Sequence, residues 1–267
     1  MKTHRVEPLK AIGRSFRPLL QDGTRPVEFI GRVAAEFPAM MRHGMRWRDF
    51  RYYMDLCGVQ ALPIVLLICL LMGMVMAVNG EIQLAKLGQE IFVVDAVGFV
   101  ILKELGPLMV AMVLTGWAGS AFAAEIGTMK LDEQVSALET MGLRPESFLV
   151  FPKLAAMLIS MPVLTIFGNI AGILGGMAVG VTIMKIPLIA YWTRTIEVLN
   201  VTTFLLGTLK SVPFAILITL AGCYCGFNAS TDAQGVGRGA TKAVVTSIFL
   251  VVVADVIVTL LYSFIGH

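Results

Sequence analysis

Four ionisable side chains stand within or at the edge of long apolar stretches: Lys103, Glu104, Lys210 and Asp255. A charge in hydrocarbon is costly, so such groups usually face a bundle interior or a wet cavity, where they pair, relay ions or hold a polar ligand. Lys103 and Glu104 are neighbours on a helix and point about 100° apart, so they do not simply pair with each other. Lys210 and Asp255 belong to separate helices at comparable depth, which allows a pair. For all four, a structural ion pair or snorkelling stands beside ligand contact as an equal alternative. Other chemistries find no support. The three histidines (His4, His43, His267) lie outside the apolar stretches, so no imidazole is available for a metal or haem inside a bundle. The four cysteines (Cys57, Cys69, Cys223, Cys225) make no disulfide framework, and the spacing of Cys223 and Cys225 is not that of a zinc or redox pair. The Gly-rich stretch Gly235 to Lys242 matches no phosphate-binding loop and reads as a turn opening the last apolar stretch. The chain therefore calls for no cofactor of its own, and any ATP chemistry would belong to another subunit.

The elements that hold these residues are set by hydropathy. Of 267 residues, 57% are hydrophobic and 15% charged, with a mean hydropathy of +0.82; a soluble domain carries about 25% charged residues. The pattern predicts an all-α integral membrane protein with five transmembrane helices, since crossing a bilayer takes roughly 20 apolar residues. The spans run from Val59 to Val78, about Ala96 to Ala124, Leu154 to Met184, about Val198 to Ala229 and about Ala243 to Ile265. The third is long enough to require tilting, kinking near Pro162 or projection beyond the lipid. Residues 1–56 form a basic segment ahead of a five-span domain at 57–267, and hold 11 of the 21 Lys and Arg residues. That excess places the amino terminus in the cytoplasm. The loops at 125–153 and 228–242 then share its side, and residues 79–95, 185–197 and the carboxyl end lie outside. A net charge of only +3 argues against a nucleic-acid partner.

Three patterns refine this picture. In the basic segment, Ile30, Val33, Phe37, Met41 and Met45 recur at helical spacing before Trp47, Phe50, Tyr52 and Tyr53, which suits an interfacial helix, with Pro38 against it. In the third span Gly168, Gly172, Gly176 and Gly180 form an i, i+4 stripe where another helix can approach closely, in the same chain or in a second copy. In the loop after the second span, Leu131, Val135, Leu138 and Met141 fall on one face of a helix of about three turns, with Asp132 and Glu133 in its first turn and Gly142 and Pro145 to stop it. Such a helix either docks in a groove on a partner or lies flat on lipid.

The run KELGPLMVAMVLTGWAGSAFAAEIGTMKLDEQVSALETMG, from Lys103 to Gly142, resembles the signature of the MlaE/YrbE family, permease subunits of ABC transporters that move lipids together with MCE proteins. GVGRGATKAVVTS after Asn228, and Lys210, Ser211 and Phe214, are similar to further family motifs. Lys103 and Trp117 stand where the family pattern has arginine, and the Trp117 difference puts a charge role at that position in doubt. The resemblance implies a homodimer in the bacterial inner membrane that moves phospholipid or a related lipid and serves outer-membrane lipid asymmetry. It also implies two ATPase subunits beneath, an MCE-domain hexamer on the outer face and a small STAS-domain protein on the ATPase. On this reading Glu125, Glu133, Gln134, Leu138 and Met141 couple to the ATPase, while Met72, Met76, Lys103 and Glu104 meet the lipid. The chain itself would be a transport subunit and not an enzyme. The alternative is a stand-alone secondary transporter or channel with Lys210 and Asp255 as an ion relay, although no inverted repeat is evident.

Overall fold

The computed structural model describes residues 28–33, 35, 47–84, 92–198 and 201–265. Every regular element among the described residues is helical. We number the helices after residue 46 as α1 (Trp47–Met54), α2 (Leu62–Leu84), α3 (Phe92–Val100), α4 (Gly106–Leu114), α5 (Ser120–Leu131), α6 (Gln134–Thr140), α7 (Pro145–Thr182), α8 (Leu188–Val198), α9 (Val201–Phe227) and α10 (Ala233–Ile265). Three π turns, Asp55–Val59, Ile101–Leu105 and Thr115–Gly119, join α1 towards α2, α3 to α4 and α4 to α5. Five helical stretches are long and apolar enough to cross a membrane: Trp47–Gln83, Phe92–Leu131, Phe148–Thr182, Thr202–Phe227 and Ala233–Tyr262.

The expected number of spans is present, but their ends differ from the hydropathy reading. The helical path of span one starts at Trp47, twelve residues before Val59, because helix continues through the π turn at 55–59; the expected boundary at 56/57 falls inside that turn. Helix α7 opens with Pro145 at its first position, where a missing N–H costs nothing, and continues through Pro152 and Pro162. The stretch from Gly235 to Lys242 is not a turn. It forms the first turns of α10, where the Asp232 carbonyl accepts from the N–H groups of Gly235 and Val236 and the Asp232 carboxylate holds Arg238 at 3.2 Å.

The loop helix is also shorter than expected. Leu131 ends α5, and the chain turns at Asp132 and Glu133, with Glu133 in the left-handed region at φ 59°. Those two acids therefore form the corner and do not occupy the first turn. Helix α6 ends where expected: Gly142 takes φ +75°, Gly142 N–H reaches the Glu139 carbonyl and Leu143 N–H the Leu138 carbonyl, the glycine-terminated Schellman pattern.

Span three is the centre of the bundle and span five its margin, with 56% and 11% of their apolar cores buried respectively. The glycine stripe packs within the chain. A Cβ on Gly172 would press on Ile101, one on Gly176 on Val97 and one on Gly180 on the Tyr191 ring, so the stripe receives span two and α8. The closest approach is made beside the stripe by α2: a Cβ on Gly73 would fall on the Gly172 carbonyl, and one on Gly175 on the Leu70 carbonyl. Ahead of α1, residues 28–33 are helical, with Phe29 and Val33 turned into the bundle and Ile30 outward; the Phe29 ring lies 5.6 Å from Tyr224 and 5.9 Å from Phe227. Phe37, Met41 and Met45 lie outside the described residues.

Backbone contact between α2 and α7 makes a size prediction. Gly175→Ala should destabilise the detergent-solubilised protein by about 1 to 3 kcal/mol, the range for overpacking. Gly98→Ala, where a Cβ meets nothing within 4 Å, should be neutral or stabilising by up to about 1 kcal/mol. Thermal unfolding of the two variants side by side checks this, and equal midpoints would contradict it.

Candidate functional site

Near the α8 end of the bundle, three spans contribute to one buried ion cluster. Lys210 on α9 is 1% exposed, and its ammonium donates to Glu104 and, at 2.8 Å, to Thr259 Oγ1, and lies 2.6 Å from Asp255 Oδ1. The Thr259 hydroxyl lies 3.3 Å from both Glu104 oxygens. Thus Lys210 and Asp255 do pair, and Glu104 joins them from the π turn at Ile101–Leu105. The approach depends on Gly207, one turn before Lys210, where a Cβ would fall on the Leu102 carbonyl. Two carboxylates share one ammonium here, and the partly exposed members are the acids, at 29% for Glu104 and 18% for Asp255 against 1% for the lysine. Lys103 points elsewhere, its ammonium 5.1 Å from the centre of the Phe99 ring. Beside the same turn, Asn169 is fully buried with neither amide atom hydrogen-bonded, its oxygen against Gly106.

At the α6 end a second buried charge ties α1, α5 and α7 together. Lys153 is 0% exposed; its ammonium donates to the Tyr53 hydroxyl at 2.8 Å and lies 3.2 Å from Glu125, and Tyr53 donates to Glu125 at 2.6 Å. The same ammonium sits 4.3 Å from the centre of the Tyr53 ring, a cation–π contact. Glu125 therefore belongs to an internal network. Of the other residues read as coupling candidates, Leu138 is turned inward at 9% exposed, Glu133 and Gln134 are exposed at the corner, and Met141 projects at 65%.

A bundle of five apolar spans with two internal ion clusters and a short helix at one end is the architecture on which the comparisons bear. The family model for permease MlaE matches residues 50–261. The chain belongs to the MlaE permease family. It is 35% identical over 213 residues to the intermembrane phospholipid transport system permease protein MlaE of Haemophilus influenzae, covering 77% of this chain and 79% of that one. A probable ABC transporter permease protein of Rickettsia conorii is 34% identical over 205 residues, with 77% and 79% covered. Another from Pyropia yezoensis is 33% identical over 206 residues, with 76% and 77% covered.

In this chain Trp117, standing where the family pattern has arginine, lies in the π turn Thr115–Gly119 and donates its Nε1–H to the Leu56 carbonyl at 3.0 Å, so it links span two to the π turn Asp55–Val59 of span one. Met76 is half-buried against the cluster formed by Ala77, Val93 and Val97, and Met72 is also half-buried. Lys153, Thr259, Asn169 and the pair Asp95–Arg194 were not singled out from sequence, and Tyr53, expected on the interfacial segment, is instead turned into the bundle. Lys153 carried a signal, since it stands in register with Val150, Met157 and Met161 on the buried face of α7. Arg194 grips both Asp95 oxygens at 2.8 and 2.6 Å and so fastens α8 to α3. Those hydrogen bonds, then the charge of Asp95, hold its guanidinium above the usual range, while burial pushes the nearby Tyr191 hydroxyl up to about 12.

Removing the lysine from the ion cluster tests how strongly it holds the spans. Lys210→Met leaves two carboxylates facing each other without a cation and should cost about 3 to 5 kcal/mol, as for other broken buried pairs. Adding Glu104→Gln and Asp255→Asn to the same variant should restore most of the loss in a thermal unfolding assay. No recovery in the triple variant would mean that the lysine acts through packing alone.

Proposed function

We propose that this chain is the membrane subunit of an ATP-driven transporter moving phospholipid or a related lipid between the bacterial inner membrane and an MCE-domain partner. On this reading two copies pair, two ATPase subunits bind at the α6 end in the cytoplasm, with a STAS-domain protein on the ATPase, and an MCE hexamer sits at the α8 end outside. The amino terminus lies in the cytoplasm. Lipid tails run between the two copies of spans one and five near Met72 and Met76, whose flexible thioethers tolerate varied acyl chains. Lys103 and the Glu104 cluster meet the headgroup or gate its exit.

The observation that carries this reading is the division of labour along one bundle. Partly exposed carboxylates lie near the α8 end, and a short helix with an exposed Met141 lies at the other end. Membership of the MlaE family and the phospholipid-transport name of the Haemophilus relative supply the cargo class. An independent carrier using Lys210 and Asp255 as an ion relay has no use for a docking helix.

Co-purification with the ATPase, followed by ATP-dependent transfer of labelled lipid from reconstituted vesicles, tests the proposal. Because Leu138 is turned inward, the coupling test uses Met141. Met141→Asp should reduce ATPase capture and transport at least about tenfold, as a charge forced into an apolar contact does. Glu104→Gln, which leaves Lys210 an oxygen acceptor, should impair transfer while the complex still assembles, and a photo-crosslinker at residue 76 should capture lipid. Transfer that proceeds without ATP, or a crosslinker that reaches only protein together with normal transfer by Glu104→Gln, would count against it.

A further inference from the structure

A trough runs beside α6 that the transport mechanism above does not use. It comprises a cavity of about 490 Å³ and, continuing from it, a second of about 550 Å³. Helix 28–33 forms one wall through Glu28 and Phe29, α6 the other through Val135 and Glu139, and the carboxyl end of α9 the floor through Tyr224 and Phe227. The floor is aromatic, and the charges on the rim are unequal in their engagement. The cations of its lining are occupied: Arg32 pairs with Glu146 at 3.3 Å, Lys130 donates to the carbonyls of Phe227 and Ala229 at 2.8 Å each, and Arg144, which lines the second cavity, has a partner of its own. Glu28 and Glu139 are exposed, and among the described residues neither has an ion partner. The trough therefore shows outward two unanswered carboxylates above an apolar floor. A long cationic side chain matches that pattern, because its methylene stem lies on aromatic surface while its head reaches an acid.

We infer that this trough receives an arginine or lysine side chain from the ATPase subunit, so that the permease holds its partner by a basic side chain between helix 28–33 and α6 as well as by the exposed end of α6. The inference rests on the ATPase reading given above. It adds the chemistry of the contact and assigns helix 28–33, which no family motif of this chain covers, to the coupling surface. Charged groups at such a rim act on association and its salt dependence.

The test titrates purified ATPase against the full-length permease in detergent at low and physiological salt. Glu28→Lys and Glu139→Lys should each weaken binding at least about tenfold, and the paired Glu28→Gln, Glu139→Gln variant should flatten the salt dependence. Glu81→Lys, at the opposite end of the bundle, should bind as the wild type does, and unchanged size-exclusion profiles exclude misfolding. Restoration of Glu139→Lys by a reciprocal Arg→Glu or Lys→Glu change on the ATPase would identify the occupant. If the charge reversals bind normally at both salt concentrations, the trough is not the contact, while the permease reading stands on its own binding result. If the wild type captures no ATPase at all, both fall. If the reversals matter only while residues 1–27 are present, the occupant is the chain's own basic segment and the inference is overturned.

Discussion

An ammonium ion cannot rest in hydrocarbon, and the packing of spans two, four and five follows from where Lys210 finds its partners. It donates to Glu104 and Thr259 and lies 2.6 Å from an Asp255 oxygen, so its partners come from two other spans. Meeting that demand requires α9 to come within backbone contact of span two at Gly207, and it requires Glu104 to face inward from a π turn. A regular α-helix would aim the side chains of that turn differently, since a π turn inserts one extra residue. Span five, otherwise buried along little of its length, is joined to the bundle here through Asp255 and Thr259. The cost of desolvating the charges is offset only while all partners remain in place, so the cluster resists loosening at one helix at a time.

The opposite end solves a similar problem with a different geometry. Lys153 is as deeply buried as Lys210, but one of its neighbours is the ring of Tyr53, and its single carboxylate partner also accepts the Tyr53 hydroxyl. The network links α1, α5 and α7. Because α5 leads directly into the corner at Glu133 and α7 emerges from the other side of α6, α6 is tied at both ends to helices that carry members of that network. Between the two charged ends, α2 and α7 are in backbone contact through Gly73, Gly172 and Gly175, where little relative sliding is possible without overlap. Span three is the most buried of the five, and spans one and five are the least buried.

The distribution of aromatic residues supports the same division. Phe29, Tyr224 and Phe227 meet in edge and tilted contacts where helix 28–33 crosses the end of α9, which anchors the amino-terminal segment to the bundle at that point. Tyr53 and Phe122 meet edge-on around Lys153. At the α8 end the fastening is ionic, through the two-pronged grip of Arg194 on Asp95, a geometry that fixes orientation as well as distance.

Hydropathy alone determined that five helices cross the membrane, because backbone groups in lipid must be satisfied within each segment and twenty apolar residues are visible in any register. The intramembrane charges were equally legible, since a charge inside an apolar run stands out, but the Lys210–Asp255 pair was one open alternative until the helices packed. The glycine stripe was legible as a contact, but whether its partner was in the same chain was decided only by α2, α8 and span two arriving there. Glu104 and Lys103 were indistinguishable in sequence; the π turn and the approach at Gly207 sent one inward and left the other over Phe99. Lys153 stands at the end of the stretch 125–153 expected as a loop, and its burial is created by Tyr53 and Glu125, which lie 100 and 28 residues away. The corner at Glu133 likewise arose from a left-handed residue that no periodicity records, which shortened α6 and turned Leu138 inward. Local composition specifies which segments are apolar; which side chains meet depends on contacts distant in sequence, and those exist only once the helices have packed.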